Sequence, residues 1–287
     1  MEYSRILVNK NRITCTTADH RSHTETAANF SIRFVLGGNE ICSIGRRELS
    51  VHSDSFIILN KGTQFTSSSD SRLPVKVFSI EFNNDYLSDF NNHFFKGRES
   101  VLFDPGHSAY QLRETIYPFK ADLKLNIDKL KNHLENGIAD DDDLVNEYLQ
   151  RCLLNCYKIC NEEIFQKEKK LNFLHFDTRI EILRRLNLAK EYLYANYSKN
   201  INLESLANYA CLSVNHLLRT FKLAYNQSPH QFLIQIRLQR AQLLLIKTEY
   251  PVYEIVNMVG FKCTSSFIRL FRNRYQTTPL KYRNVIA

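Results

Sequence analysis

The chain has 287 residues, 44% hydrophobic and 24% charged, with no Trp and a formal charge of +8; this is an ordinary globular composition, long enough for two domains with separate cores. No apolar run approaches the roughly 18–20 residues that cross a bilayer, and the first residues lack the basic-then-apolar pattern of a secretory leader. Seven cysteines, an odd number without a C-x-x-C pair, argue against a disulfide framework and for reduced thiols in a cytoplasmic protein.

In chain order, residues 1–106 read as β. FSIRFVLG (30–37), SFIILN (55–60) and VKVFSIEF (75–82) are short runs of β-branched and aromatic residues, separated by turn signals at 37–39, 61–62 and 67–71. Short strands at this spacing predict a sandwich or small barrel. Residues 107–178 change to a helical pattern: Leu123, Ile127, Leu130 and Leu134 form one stripe, closed by Asn136-Gly137. Four aspartates at 140–143, suited to a helix N-terminus, lead into a second stripe of Leu144, Tyr148, Cys152, Cys156 and Ile159. That helix should run toward Lys169. Its seam must be buried on the β domain or on a second copy of the chain, and the expectation favours the second copy.

Residues 179–287 carry the most specific signal. LESLANYACLSVNHLLRTFKLAYNQSPHQF from Leu203 and VYEIVNMVGFKCTSSFIRLFRNRYQTTPLKY from Val252 are two copies of one pattern. Leu206 falls on Ile255 and Leu212 on Phe261 at an offset of 49; one extra residue in the second turn makes it 50 for Arg219 on Arg269, Phe221 on Phe271, Tyr225 on Tyr275 and Pro229 on Pro279. Such self-similarity is one supersecondary unit used twice. Each copy predicts a short apolar helix, a tight turn and a second helix. Ser228-Pro229 starts a joining helix to about Lys247 that is apolar on most sides and therefore buried.

The positive charge lies here too. From residue 180 onward there are 15 Lys+Arg against 5 Asp+Glu, which leaves 23 against 25 for the rest of the chain. A basic C-terminal part beside a near-neutral remainder points to a polyanionic partner. On the second helix of the first copy, Val214, Leu217 and Phe221 should face inward and Asn215, Arg219 and Lys222 outward, with His216 and Leu218 at the edges. In the second copy Phe267 and Phe271 face inward, and Thr264, Ser265, Arg269 and Arg272 outward. Arg grips guanine O6 and N7, Asn grips adenine N6 and N7, Ser and Thr reach bases or phosphates, and Leu218 and Ile268 suit thymine methyls. Ser213, Lys222, Lys262, Arg272, Arg274 and Lys281 are placed for phosphates, which supply affinity and register.

These residues resemble the DNA-binding domain of the AraC/XylS family of bacterial transcription regulators. The likeness rests on Leu206-Ala207, Leu212-Ser213, His216-Leu217, Arg219, Phe221-Lys222, Ser228-Pro229, Arg237, Ala241, Leu244-Leu245, Ile255, Val259-Gly260-Phe261, Phe267, Arg269, Phe271, and Pro279 to Tyr282-Arg283. It implies two helix-turn-helix units joined by a long helix. Their base-contacting positions correspond here to Asn215, Leu218 and Arg219, and to Thr264, Ser265, Ile268 and Arg269. Cys211 stands where a turn glycine is usual, and Val256 where a small Ala is usual. The implied whole is a multidomain α+β protein: a cupin-like β-barrel or sandwich sensor (1–106), a helical connector or dimerisation segment (107–178) and an all-α DNA-binding domain (179–287). Its expected partners are double-stranded promoter DNA, RNA polymerase, a small-molecule effector and a second copy in a homodimer, with no membrane, cofactor or metal and no enzymatic activity.

Two alternatives stay open at this point. One is a cupin-type metalloenzyme with an accessory DNA-binding tail; His20, His23 and Glu25 form an H-x-x-H group but lack a later His-containing strand, and read as surface residues. The other is a constitutive regulator whose β domain only dimerises. Cys152, Cys156 and Cys160 read as small residues in a helix seam rather than a thiolate site.

Overall fold

A computed structural model describes residues 2–18, 23–69, 74–94, 113–136, 142–171 and 175–286. The chain divides into two compact units, residues 1–166 and 167–287.

In the first unit, ten described strands form two antiparallel sheets. They are β1 (Tyr3–Ile6), β2 (Arg12–Ala18), β3 (His23–Thr26), β4 (Phe30–Gly37), β5 (Asn39–Ile44), β6 (Arg47–His52), β7 (Ser55–Leu59), β8 (Gln64–Ser69), β9 (Val75–Phe82) and β10 (Ile116–Pro118). One sheet runs β1-β2-β9-β4-β7-β10, the other β3-β8-β5-β6. The three runs read from sequence are β4, β7 and β9. They are rich in apolar residues because most positions on both of their faces are buried. From β4 and β9, Phe30, Ile32, Phe34, Phe78, Ile80 and Phe82 turn one way into a core shared with helices, so the alternating Arg33, Val35, Val77 and Ser79 turn the other way, toward the second sheet.

The helices on the first sheet are α1 (Asn84–Phe94), α2 (Ala121–Glu135) and α3 (Asp142–Cys160), with a π-helical turn at Asn161–Gln166. Leu123, Ile127, Leu130 and Leu134 of α2 are buried as the stripe predicts. The expected partner of the α3 seam is corrected. Leu149, Cys152, Cys156 and Ile159 share one core with α2 and with the aromatic face of β4, β7 and β9, so the seam is covered within its own unit. Phe34, Phe56, Phe78 and Phe82 make that sheet face a large apolar surface, which supplies the cover a second copy was expected to give. Two further differences are α1, inside the stretch read as β, and β10, inside the stretch read as helical, where Ile116 pairs with Ile57. Aspartates 142 and 143 occupy the first turn of α3; Asp140, Asp141, Gly137 and His20 lie outside the described residues.

The second unit is helical among its described residues: α4 (Lys167–Lys169), α5 (Phe176–Ala195), α6 (Leu203–Tyr209), α7 (Val214–Tyr225), α8 (Pro229–Lys247), α9 (Val252–Met258), α10 (Thr264–Tyr275) and α11 (Pro279–Ile286). Helix α8 begins with a full capping box, Ser228 accepting from the Gln231 amide while Gln231 returns a bond to the Ser228 amide. Its first half, through Leu233 and Ile236, completes the core of α5, α6 and α7. Its second half, through Leu238, Ala241 and Leu245, completes that of α9 and α10. One rod of about 28 Å, at 1.5 Å per residue, is therefore part of both repeats.

Candidate nucleic-acid interface

The repeat is repeated in geometry. In the first copy the Cys211 amide donates to Asn208 O at 3.0 Å and Leu212 to Ala207 O at 2.9 Å; in the second, Gly260 donates to Asn257 O and Phe261 to Val256 O, both at 3.0 Å. Four residues separate α6 from α7 and five separate α9 from α10, which is the extra residue seen in the alignment. Helices α7 and α10 each end on a left-handed residue, Asn226 (φ 56°) and Gln276 (φ 58°). Beyond them the rings Phe221–Tyr225–Phe232 lie at 4.4, 5.6 and 5.5 Å between centroids. The rings Phe271–Tyr275–Tyr282 lie at 4.5, 5.6 and 5.5 Å. Phe221 and Phe271 are fully buried, each worth about 1.5–3 kcal/mol in transfer alone.

The turns reach this shape by different means. Gly260 adopts φ 83°, and a Cβ there would stand 2.5 Å from Ser198 O. Cys211 adopts φ 53° with a side chain, and its carbonyl accepts Arg185 Nη1 from α5 at 2.8 Å. Val256, at the other departure noted in the sequence, is buried in the second core. The loop after α5 is held from α8: Arg237 donates to Tyr197 O at 2.7 Å and to Lys199 O at 2.8 Å, and its guanidinium lies 5.8 Å from the Phe261 ring. Beside it the buried Arg240 lies 5.9 Å from each of the Tyr194 and Tyr197 rings. The end of α5, the joining helix and the second turn thus form one junction.

The outward residues emerge from this frame as their spacing requires. On α7, Leu217 and Phe221 are fully buried, whereas Asn215, Arg219 and Lys222 are exposed and His216 and Leu218 lie between. On α10, Phe267 and Phe271 are buried, and Thr264, Ser265, Arg269, Arg272 and Arg274 are exposed together with Ile268. Lys262, in the second turn, and Lys281, on α11, are exposed too. Ser213 caps α7 by accepting the His216 amide at 3.3 Å, which leaves its O–H able to donate to a phosphate.

The roles of three contributors were not read from sequence, although Arg237 was among the residues carrying the resemblance. Arg185 and Arg237 act through main-chain carbonyls that no sequence pattern marks. Cys263 precedes α10 where Ser213 precedes α7. It makes no capping hydrogen bond of the kind Ser213 makes, yet the amide and hydroxyl of Ser266, then the Ser265 amide, lower its pKa below the ordinary thiol value. Its alignment with Ser213 was the available signal. None of the seven cysteines forms a disulfide, and among the described residues no three His, Cys, Asp or Glu side chains are grouped to hold a metal ion. None of the described helices is long and apolar enough to cross a membrane.

Residues 206–284 match the family model of a helix-turn-helix domain. Over 266 residues the chain is 23% identical to the Msm operon regulatory protein of Streptococcus mutans, covering 90% of this chain and 85% of that protein. It is 33% identical over 109 residues to the raffinose operon transcriptional regulatory protein of Pediococcus pentosaceus, covering 38% of this chain and only 39% of that protein. Among solved structures, it is similar to a transcriptional regulator with an AraC-type DNA-binding domain from Chromobacterium violaceum, with 28% identity and a TM-score of 0.35 over 36% of this chain and 93% of that one. With the matched helices, the outward basic side chains and relatives named as operon regulators, residues 206–284 are a helix-turn-helix domain, and the chain is a DNA-binding transcription regulator similar to those of the AraC type.

Proposed function

We propose that α7 and α10 are the second helices of two helix-turn-helix units and enter successive major grooves on one face of promoter DNA. The observation that carries this reading is the pair of matched interiors built on α8, which turn different reading side chains outward on one rigid frame. The length of α8 is comparable to the roughly 34 Å of one DNA turn. Asn215, Leu218 and Arg219 face one half-site, and Thr264, Ser265, Ile268 and Arg269 the other. Ser213, Lys222, Lys262, Arg272, Arg274 and Lys281 hold phosphates on either side. Replacing Arg219 or Arg269 by Ala weakens specific binding by about 1–3 kcal/mol without unfolding the chain. Gel-shift titration on the mapped promoter tests this, and unchanged affinity overturns the role of that arginine.

The β unit is, in this proposal, a cupin-like sensor. Its response to a small-molecule effector alters how two copies of the chain sit on DNA and how they meet RNA polymerase in the cytoplasm. The likeness to the Streptococcus mutans operon regulator supports this reading, because 266 aligned residues exceed the second unit and extend into the β unit. Sedimentation of the full chain with and without promoter DNA tests the dimer; a monomer in both conditions overturns it.

A further inference from the structure

Each repeat is closed by an arginine from the helix that follows it. In the first copy this is Arg237 of α8, whose Nε and Nη2 donate to Tyr197 O and Lys199 O. In the second it is Arg283 of α11, whose Nε donates to Leu245 O at 3.3 Å and whose Nη2 donates to Tyr250 O at 2.6 Å. The same two nitrogens grip two carbonyls in the stretch ahead of the unit's first helix, α6 in one copy and α9 in the other. Alignment of the two sequences hides this match. At the offset of 50, Arg283 falls on Leu233. Arg237 lies one turn further along the same face of its helix. The two clamps differ in reach. Arg237 holds the loop against which Gly260 packs and so joins the two copies, whereas Leu245 and Tyr250 both belong to the second core.

Arg283 also follows directly on the residue that seats α10. The Tyr282 ring lies 5.6 Å from that of Phe271 and 5.5 Å from that of Tyr275, and its hydroxyl accepts Gln242 Nε2 of α8 at 2.5 Å. Through these two neighbours α11 ties the inner side of α10 to the end of α8 and the entry to α9. The rings supply burial, which is strong but has no direction. Reading a base edge needs side chains held within about 0.5 Å and 10–20°. A planar guanidinium bonded to two carbonyls is directional and admits one seating. Leu245 O lies in the last turn of α8, where helix carbonyls lack a partner within the helix, so the clamp uses an acceptor that the frame leaves open. We infer that Arg283 is a positioning residue for the second unit. Acting through the frame, it sets how accurately Thr264, Ser265, Ile268 and Arg269 meet their bases.

This inference rests on the reading that α7 and α10 each face one half-site, and its test separates the two. Full-length Arg283→Lys and Arg283→Ala are titrated by gel shift against the promoter duplex footprinted by the parent chain. The same is done with duplexes in which single base pairs are changed in either half. In the parent, a changed pair in either half should weaken binding about tenfold or more. In Arg283→Lys the ammonium cannot span both carbonyls, so changes facing α10 should cost only about threefold, while those facing α7 keep their parental cost to within about twofold. Arg283→Ala should show the same split. A role in folding alone lowers the amount of active protein and weakens every duplex by one factor, which leaves the ratios between duplexes unmoved. The inference is overturned if the ratios in the α10 half keep their parental values, if both halves lose discrimination equally, or if both variants melt below the assay temperature. Melting of Arg283→Ala alone leaves Arg283→Lys to decide. A parent whose losses fall in one half only overturns the two-unit reading, and this inference with it.

Discussion

The two turns of the repeat make opposite predictions for reciprocal substitutions. At Gly260 the backbone sits at φ 83°, and an added Cβ would lie 2.5 Å from Ser198 O, 2.8 Å from its carbonyl carbon and 2.9 Å from its Cα. These are main-chain atoms, so no side-chain rotation relieves the contact. Nor is their loop free to retreat, because Arg237 holds the carbonyls of Tyr197 and Lys199 on either side. Gly260→Ala therefore adds the cost of a left-handed L-residue, about 1–2 kcal/mol, to that of an overpacked contact, about 1–3 kcal/mol. Together they destabilise the fold by about 2–5 kcal/mol. Cys211 occupies the equivalent turn at φ 53° but is exposed, so Cys211→Gly removes the conformational cost and adds about 0.5–1 kcal/mol of unfolded-state entropy. The net is between no change and a gain of about 1 kcal/mol. Scanning calorimetry of the full chains reads this as a transition lowered by roughly 8–20 °C for Gly260→Ala, and one unmoved or raised by up to about 4 °C for Cys211→Gly, at about 4 °C per kcal/mol for a unit of this size. A Gly260→Ala protein melting within about 2 °C of the parent would refute the reasoning, because the junction at Ser198 would then be yielding rather than fixed.

Other outcomes follow from the same geometry. Arg237→Ala removes two charge-assisted bonds to carbonyls and should weaken binding to a full promoter site about tenfold. Its binding to a single half-site should stay within about threefold, and Arg237→Lys should not rescue it because an ammonium cannot span both carbonyls; equal losses on the two sites would sink this. Arg272→Ala should weaken binding to all sequences alike and flatten the dependence of log K on log salt by about one, whereas base-pair changes in the half-site facing α7 should cost more than those facing α10. Glu181 accepts bonds from Arg184 and Arg185, which hold its carboxyl down at about 2. A depressed carboxyl stabilises the fold above its unfolded pKa and loses that contribution as pH falls through the folded one. Glu181→Gln should therefore cost about 0.5 kcal/mol at neutral pH, discounted for its exposure, and the difference should fade between about pH 4.5 and about pH 2. A difference that persists below this window would refute the assignment.

How far the sequence could be read depended on where each element buries itself. The repeat was legible because Phe221 and Phe271, or Tyr225 and Tyr275, must return to the same interior at a constant offset. Strands β4, β7 and β9 were legible because both of their faces are covered. Strands β5, β6 and β8 were not: NEICSI, RELSVH and QFTSSS carry residues that look solvated, yet Glu40, Ser50 and Ser67 are buried. Helix α1 was missed because its polar sequence buries only Leu87 and Phe90. The ion pair of Arg33 on β4 with Glu40 on β5 leaves no trace in a pattern, since its partners come from opposite sheets across the β4–β5 turn. The α3 seam was visible, but an apolar stripe records only that something covers it.

The same distinction explains why the repeats are unequal. Interior positions are bound by packing, so the two copies agree in ring spacing to about 0.1 Å. Exposed positions carry no such constraint, and there the copies diverge. Around α10, Lys262, Arg269, Arg272 and Arg274 are exposed, against Arg219 and Lys222 on α7. Of these, Lys262, Arg272 and Arg274 are placed for phosphates, contact that is indifferent to sequence. Helix α7 instead presents Asn215 with Arg219, a pair suited to bidentate contacts with adenine and guanine. It also begins with a serine cap, where α10 begins at Cys263. In the proposed docking a fixed frame allows this division of labour: once α8 and the Ser198 junction set the spacing, strong phosphate contact by one copy would place the other in register. The weakly charged copy can then discriminate between bases without having to supply the affinity.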